Sequence, residues 1–309
     1  MSLQDRVPLP PLEAAIQAAV LAPVPPSARF VFARVADGSS LGAVVELLAD
    51  MPIPDHLLVG LGASLLRRLD VDIPGVRAFP QLSMNGSVLP TTPAELVFRI
   101  SGADPGEVLH RERRLRLKLS HVAEVTDTVD GFIHDGGRDL TGYVDGTENP
   151  TDEDAVRAGI MTHHGPGLDG GSVLAIQRWV HDFDAFDRLD AAAQDHAIGR
   201  TRDTDEELDD APASAHVKRT AQEDFDPEAF LVRRSMPWRD HRGAGLVFVA
   251  FAHSLDPFEA QLRRMVGEDD GVTDAIFAFT TPATGTVAWC PPTTDGHLDL
   301  QAVMRGNSR

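Results

Sequence analysis

Cysteine and tyrosine are nearly absent from this chain of 309 residues, which contains one of each, Cys290 and Tyr143. A single thiol excludes an intrachain disulfide framework. It also excludes attachment of a cofactor through a Cys-x-x-Cys-His motif, so any cofactor would be held non-covalently. Hydrophobic residues make up 42% of the sequence, which is ample for a core without cross-links.

Basic residues are also scarce, since 28 Lys and Arg stand against 47 Asp and Glu and give a net charge of −19. Such a surface repels phosphate backbones, so we expect no nucleic-acid partner. The same charge raises the encounter rate with cationic small molecules, but it does not identify a substrate.

Long apolar runs are missing as well, because no stretch reaches the roughly 20 residues that a membrane helix needs. The first six residues, Met-Ser-Leu-Gln-Asp-Arg, contain neither twin arginines nor a basic region followed by an apolar segment. We therefore expect a cytoplasmic protein with no membrane partner.

Apolar periodicity predicts two similar series of elements, each in the order β-α-β-β-α-β. After a lead-in helix before residue 28, the first series has strands at 29–35, 57–62, 95–101 and 122–132, with helices at 41–51 and 105–120. The second has strands at 172–180, 230–235, 245–252 and 275–280, with helices at 183–199 and 257–267. Segments 96–98 and 246–248 both read Leu-Val-Phe before a helix, although chance can produce such short similarities.

This order predicts an α+β protein with a duplicated ferredoxin-like fold of the dimeric α+β barrel type, with antiparallel sheets and peripheral helices. We expect two halves, residues 1–150 and 151–309, the first of which ends in an aspartate-bearing loop. The second half has an insertion, residues 200–229, with no counterpart in the first. Long connections inside compact domains are usually functional or disordered, and the acidic string at 203–210 alone favours a solvated loop.

Residues 138–150, Arg-Asp-Leu-Thr-Gly-Tyr-Val-Asp-Gly-Thr-Glu-Asn-Pro, have a composition that packing alone does not explain. Their glycines and Asx residues favour tight turns, so we expect a rigid loop that presents the carboxylate of Asp145. An ordinary Asp-Gly turn is the alternative. The whole string, with Gly142 and Gly146 in a Gly-x-x-Asp-Gly motif, resembles the signature of the dye-decolourising peroxidases. Its continuation into Thr-Glu-Asn-Pro is similar to the bacterial B-type branch.

The resemblance implies a peroxidase with non-covalent haem b, in which Asp145 lies on the peroxide side of the haem. The residues alone do not choose an iron ligand among twelve histidines. By resemblance, His216 in the insertion is the axial ligand, within a His-x-x-Arg motif that ends at Arg219. Four other histidines are expected to be surface or packing residues: His163, His164, His181 and His253.

A second motif implied by the resemblance lies at 232–237. Adjacent strand residues point to opposite faces, so only one of two neighbouring arginines can enter the pocket. Arg233 matches the distal arginine and Ser235 its polar companion, where related sequences often carry asparagine. A hydroxyl is shorter and offers fewer hydrogen bonds. Arg234 is expected to form a surface salt bridge.

Asp274 resembles the acidic partner of the axial histidine, although a loop of solvated acids is an equal alternative from the residues alone. A carboxylate on the other ring nitrogen fixes the tautomer and makes an imidazole more electron-donating. Three further residues are expected to contact the haem: Tyr143, Gly146 and Thr147. The implied partners are hydrogen peroxide, small-molecule electron donors and further copies of the chain.

The implied reaction has Asp145 moving the peroxide proton while Arg233 stabilises the charge that develops as the O–O bond breaks. Bulky donors would be oxidised at the haem edge or through an aromatic relay, for which the candidates are Tyr143, Trp179, Trp238 and Trp289. We expect Tyr143 and Trp238 near the cofactor. The alternatives are a haem-trafficking protein, chlorite dismutation or porphyrin decarboxylation on a related fold, and an interaction domain without a cofactor. The Asp145 motif argues against the related-fold enzymes.

Overall fold

The structure is a computed structural model that describes residues 12–84 and 86–306. Its strands are β1 Ser27–Val35, β2 Leu57–Gly62, β3 Ser83–Met84, β4 Ser87–Val88, β5 Leu96–Gly102, β6 Ala123–Phe132, β7 Ser172–His181, β8 Val232–Arg233, β9 Met236–Asp240, β10 Gly243–Ala252, β11 Thr280–Pro282, β12 Thr286–Cys290, β13 Thr293–Thr294 and β14 His297–Leu298. Its α-helices are α1 Leu12–Ala15, α2 Ala18–Leu21, α3 Leu41–Asp50, α4 Ala63–Arg68, α5 Pro105–Leu119, α6 Asp152–Gly159, α7 Phe183–Asp187, α8 Ala191–Ile198, α9 His216–Thr220, α10 Asp256–Met265 and α11 Gln301–Gly306.

Eight strands close into an antiparallel barrel. Their order is β7, β12, β2, β5, β1, β6, β9 and β10, and β10 pairs again with β7. The short strands β11 and β8 are added to β7 and β10. Closure removes the exposed edges that an open sheet would present, and it confirms the predicted α+β barrel.

Each half of the barrel has the same strand order. In the first half the order is β6-β1-β5-β2, and in the second it is β12-β7-β10-β9. Both are the ferredoxin-like order in which the fourth strand lies beside the first and the third beside the second. Gly131 of β6 faces Trp238 of β9 where the halves join. A Cβ atom at Gly131 would lie 2.9 Å from Cβ of Met236, so glycine permits this close approach.

Apolar side chains fill both faces of the barrel wall. The interior contains Phe30, Trp238 and Phe251, which are almost completely buried. On the outside of the second half, α10 packs Phe258 and Leu262 against side chains of β7 and β10. The candidate site lies in this outer layer.

Several boundaries differ from those predicted. Asp190 accepts a hydrogen bond from the Ala193 amide and starts a new helix, so 183–199 forms α7 and α8 rather than one helix. Residues 275–278 form a 3₁₀ turn capped by Asp274, and the strand that closes the second half is the unpredicted β12. The predicted strand 230–235 is only β8, and β9 follows it. The lead-in helix is two short helices, and its part before residue 12 lies outside the described residues.

Within the described ranges, no helix combines the length and apolarity that crossing a bilayer requires.

Candidate active site

The Asp145 loop follows β6 and is held by its own backbone. The Asp139 amide donates to the Tyr143 carbonyl at 2.8 Å, and the Gly142 amide donates to the Asp139 carbonyl at 2.9 Å. Gly142 and Gly146 have φ angles of 92° and 85°, in the left-handed region that favours glycine. These bonds and turns agree with the expected rigid loop.

Asn149 joins this loop to the strand that carries Arg233. Its side-chain oxygen accepts from the Arg233 amide at 2.8 Å. Its side-chain nitrogen donates to the Arg233 carbonyl at 2.8 Å. The Asn149 side chain thus makes both hydrogen bonds that a neighbouring strand would make to the backbone of Arg233. It fixes the distance between the Asp145 loop and the strand of Arg233.

The environment of Asp145 disfavours its ionised form. Burial raises the pKa of this carboxyl, the nearby Arg233 opposes the shift, and the negative charge of Asp139 adds to it. The Ser235 side chain also favours the carboxylate and lowers the pKa. An acid with a raised pKa is suited both to accept a proton and to return it.

His216 is the first residue of α9, and its ring is oriented by Asp274. Nδ1 lies 2.8 Å from a carboxylate oxygen of Asp274. The Asp274 side chain is fully buried, whereas the His216 side chain is 33% exposed. The other oxygen of Asp274 accepts from the Ile276 amide at 3.0 Å, so the carboxylate itself is fixed. Nε2 is thereby the ring nitrogen available to a ligand.

Asp145, Arg233 and His216 line one cavity. The space between the atoms that line it, which opens to solvent, amounts to about 970 Å³. Most of its wall is apolar: Val144, Trp179, Ile198, Leu246, Phe248, Phe258, Leu262, Met265, Ile276 and Phe279. Nε of Arg233 is buried and has no hydrogen-bond partner among the residues that the structure describes. An unsatisfied buried donor beside a cavity indicates a ligand or water there.

Sequence reasoning missed a second polar group in this cavity. Nε2 of His181 lies 3.0 Å from the Asp139 carboxylate, and Nδ1 lies 2.7 Å from the Thr280 hydroxyl. Burial raises the pKa of Asp139, but hydrogen bonds from His181 and Thr141 outweigh it and hold that pKa below its ordinary value. His181 is therefore not a surface residue, since its side chain is 5% exposed and lines the cavity. Its position just after a strand was the only signal in the sequence.

Other predicted site residues lie outside the cavity wall. Arg219 is buried, and its guanidinium binds the Asp270 carboxylate at 2.7 and 2.8 Å. Thr147 is exposed and donates to Asp205 at 2.6 Å. Gly146 shapes the loop, and Ser235 acts through Asp145.

Arg234 does not form the surface salt bridge that was expected. It does not line the cavity, and its guanidinium donates at 2.7 Å to the carbonyls of Ala22 and Leu21 and at 2.8 Å to the carbonyl of Arg233. These carbonyls belong to the segment around α2, so Arg234 ties the start of the described chain to the barrel.

The aromatic residues are arranged differently from the prediction. Tyr143 lines the cavity as expected, but it is accompanied by Trp179 rather than Trp238. Trp238 lies in the barrel interior, where its indole nitrogen donates to the Trp179 carbonyl at 2.9 Å. Alternation along the barrel strands explains why a tryptophan close in sequence to Arg233 faces the other way.

Residues 136–295, which contain Asp145, His216 and Arg233, match the family model described as "Dyp-type peroxidase, C-terminal". This chain belongs to the Dyp-type peroxidase family. It is 30% identical over 291 residues to a dye-decolorizing peroxidase of Mycobacterium tuberculosis, covering 88% of this chain and 87% of that protein. It is 31% identical to the one from Mycolicibacterium paratuberculosis, with 88% and 82% covered.

Solved structures of the family have the same fold. A DypB variant of Rhodococcus jostii RHA1 in complex with heme is 29% identical, has a TM-score of 0.82, and covers 94% of this chain and 97% of its own. The dye-decolorizing protein from V. cholerae is 28% identical with a TM-score of 0.80, covering 94% and 98%. Family membership confirms the predicted enzyme, an oxidoreductase that acts on peroxide, and does not favour a trafficking role.

Proposed function

We propose that the cavity binds haem b and that His216 is the axial ligand of its iron. The observation that carries the proposal is that one largely apolar cavity brings together His216, Asp145 and Arg233, whose buried Nε has no hydrogen-bond partner in the described structure. Related structures of this fold contain heme. Cys290 is buried in the barrel interior, which agrees with non-covalent binding.

The residues fit such a group chemically. A haem needs one imidazole nitrogen and an apolar slot, and the His216–Asp274 pair supplies a ring with one nitrogen already engaged. A carboxylate on that nitrogen makes the imidazole a stronger electron donor to a metal. When bound, haem supplies the iron that exchanges electrons with peroxide.

The chain's own residues handle the proton and the developing charge. Asp145 accepts the proton of peroxide and returns it to the oxygen that leaves as water. Arg233 places a fixed positive charge where negative charge develops on oxygen. Ser235 and Asn149 hold these two groups in position. The apolar wall limits the water that competes with peroxide.

Reduction of peroxide to water takes two electrons from the enzyme. Dyes, phenolic compounds or similar donors replace these electrons one at a time. Homo-oligomeric assembly, a cytoplasmic location and the division into halves 1–150 and 151–309 stay predictions. Contact of the haem with Arg219, Gly146 and Thr147 also stays a prediction. The hydrogen bonds that these residues make in the structure do not favour it.

Absorption spectroscopy tests the proposal. The haem-loaded protein is mixed with one equivalent of peroxide in a stopped-flow instrument. We expect a rapid change of the ferric spectrum that is reversed by an electron donor. A protein that binds haem but shows no such change would be a haem carrier rather than a peroxidase.

A further inference from the structure

Tyr143, the only tyrosine in the chain, connects the cavity with a carboxylate at its outer side. The residue lines the cavity and is only 4% exposed. Its hydroxyl donates to a carboxylate oxygen of Asp195 on α8 at 2.5 Å. Asp195 is partly exposed, so its carboxylate can exchange protons with solvent.

Arg202 covers the ring of Tyr143. The guanidinium carbon lies 5.1 Å from the centre of the Tyr143 ring and 5.5 Å from that of Phe186. The Arg202 amide donates at 3.2 Å to the same Asp195 oxygen that accepts from Tyr143. Arg138 donates to the Arg202 carbonyl at 2.8 Å and fixes this segment. The phenol, the carboxylate and the cation therefore form one ordered group.

The groups around Tyr143 influence the redox chemistry of its phenol. Burial and the hydrogen bond to Asp195 raise the pKa of Tyr143, so the phenol stays protonated at neutral pH. The electron density of an aromatic ring stabilises a cation above its face. The positive charge of Arg202 therefore disfavours a second positive charge on the ring of Tyr143. Tyr143 can then lose an electron only if its proton leaves at the same time, and Asp195 is placed to take it.

We propose that Tyr143 is a redox relay between the cofactor and electron donors that are too large for the cavity, with Asp195 as its proton acceptor. The inference rests on the proposed peroxidase function, which supplies the oxidant. In the relay step Tyr143 gives one electron to the oxidised cofactor and its hydroxyl proton to Asp195. The O–H bond breaks, and a neutral tyrosyl radical and a protonated Asp195 form. A donor at the surface then supplies one electron, and the proton returns from Asp195 to the phenolic oxygen.

The tryptophans are less suited to this role. The indole nitrogen of Trp238 donates to a backbone carbonyl, which is not a base. That of Trp289 is buried and has no hydrogen-bond partner in the described structure. Trp179 lines the cavity, but its ring packs against Phe277 and its carbonyl accepts the hydrogen bond from Trp238. Tyr143 thus combines contact with the cavity and a carboxylate acceptor.

The alternative is that Tyr143 only pins the catalytic loop to α8, and the radical itself distinguishes the two. The haem-loaded full-length protein is mixed with one equivalent of peroxide, frozen at set times, and examined by electron paramagnetic resonance. Each signal is divided by the amount of cofactor that has reacted. Ring-deuterated tyrosine labels a single site, so a narrowed signal identifies Tyr143 without a mutation.

We expect a tyrosyl signal in the parent that narrows on deuteration and is lost in Tyr143→Phe. Asp195→Asn keeps an oxygen that can accept the hydrogen bond but is not a base, so its normalised tyrosyl signal should decrease strongly. Asp187→Asn removes a nearby exposed carboxylate and should keep the parent signal. Turnover of a bulky dye should fall in Tyr143→Phe relative to the amount of cofactor oxidised.

Failure of the relay and failure of the function give different results. A parent that reacts with peroxide but shows no tyrosyl signal overturns the relay alone. An Asp195→Asn signal equal to that of the parent overturns the role of Asp195. A parent whose spectrum does not change with peroxide overturns the proposed function and the relay with it.

Discussion

Asn149 binds both backbone polar groups of Arg233 through its side chain, although 84 residues separate the two positions. One side-chain amide therefore sets the spacing between the loop of Asp145 and the strand of Arg233. The motif that ends in Thr-Glu-Asn-Pro is thus explained by contact with a distant strand as well as by its own turns.

Replacing Asn149 should loosen the site without touching either charged group. Asn149→Ala leaves the amide of Arg233 without its partner, whereas the carbonyl keeps a hydrogen bond from Arg234 at 2.8 Å. A buried unsatisfied group costs about 1–3 kcal/mol. Asn149→Asp keeps the acceptor and loses the donor, so its effect should be smaller. For both variants, thermal unfolding measures the loss of stability, and the rate of reaction with peroxide measures the loss of positioning. Equal behaviour of the parent and Asn149→Ala would show that this contact does not position Arg233.

Arg233→Leu should slow the reaction with peroxide more than Asp145→Ala does. Water can partly replace a proton carrier, but it cannot replace a fixed positive charge. General acid–base groups typically contribute about 10²- to 10⁴-fold, so Asp145→Ala should still be slower than the parent. Stopped-flow absorbance gives both rates, with the exposed Arg239→Leu on β9 as a control. Parent-like rates in both variants would remove these residues from the mechanism.

The pH dependence should follow the ionisation of Asp145. Because the carboxylate accepts the proton and its pKa is raised, the rate should fall as pH drops through a midpoint above the ordinary value of Asp. Ser235→Ala removes a bond to the carboxylate and should move the midpoint up. Asp139→Asn removes a neighbouring negative charge and should move it down. Shifts in the opposite directions would contradict this assignment.

The resemblance to the family predicts that the chain forms a homo-oligomer. Leu109 and Leu117 of α5 are 44% and 75% exposed, and apolar side chains of this size are often covered in assemblies. Light scattering at micromolar concentration should give a multiple of the 33.3 kDa chain mass. A mass equal to one chain would show that this prediction is wrong.

Local sequence was sufficient for much of the fold, whereas the distal roles of Asp145 and Arg233 were predicted from the family resemblance. Strand β2 has the predicted bounds, and the caps Ser40 and Asp104 start α3 and α5 at the predicted positions. Strand alternation correctly sends Arg233 and Arg234 to opposite faces. The arginine that faces away binds carbonyls near α2 instead of a carboxylate, because the chain before β1 packs against the barrel.

Contacts that depend on barrel closure could not be predicted in this way. His181 meets Asp139 only because β7 ends beside the loop after β6, 42 positions earlier. Strand β12 closes the second half through pairing with β7 and β2. Its sequence, Thr-Val-Ala-Trp-Cys, favours a strand, but segment 275–280 had been assigned the place of the fourth strand. Trp238 was placed near the cofactor by its distance in sequence, whereas the register of β9 turns it into the barrel.

The central claim is that His216 holds the iron of a haem in this cavity. Titration of the haem-free protein with haem, followed by the ferric absorption spectrum, tests it most directly. We predict that His216→Ala loses or greatly weakens binding and changes the spectrum, whereas His253→Ala, at a position outside the cavity wall, binds as the parent does. An unchanged haem occupancy and an unchanged ferric spectrum in His216→Ala would contradict the account.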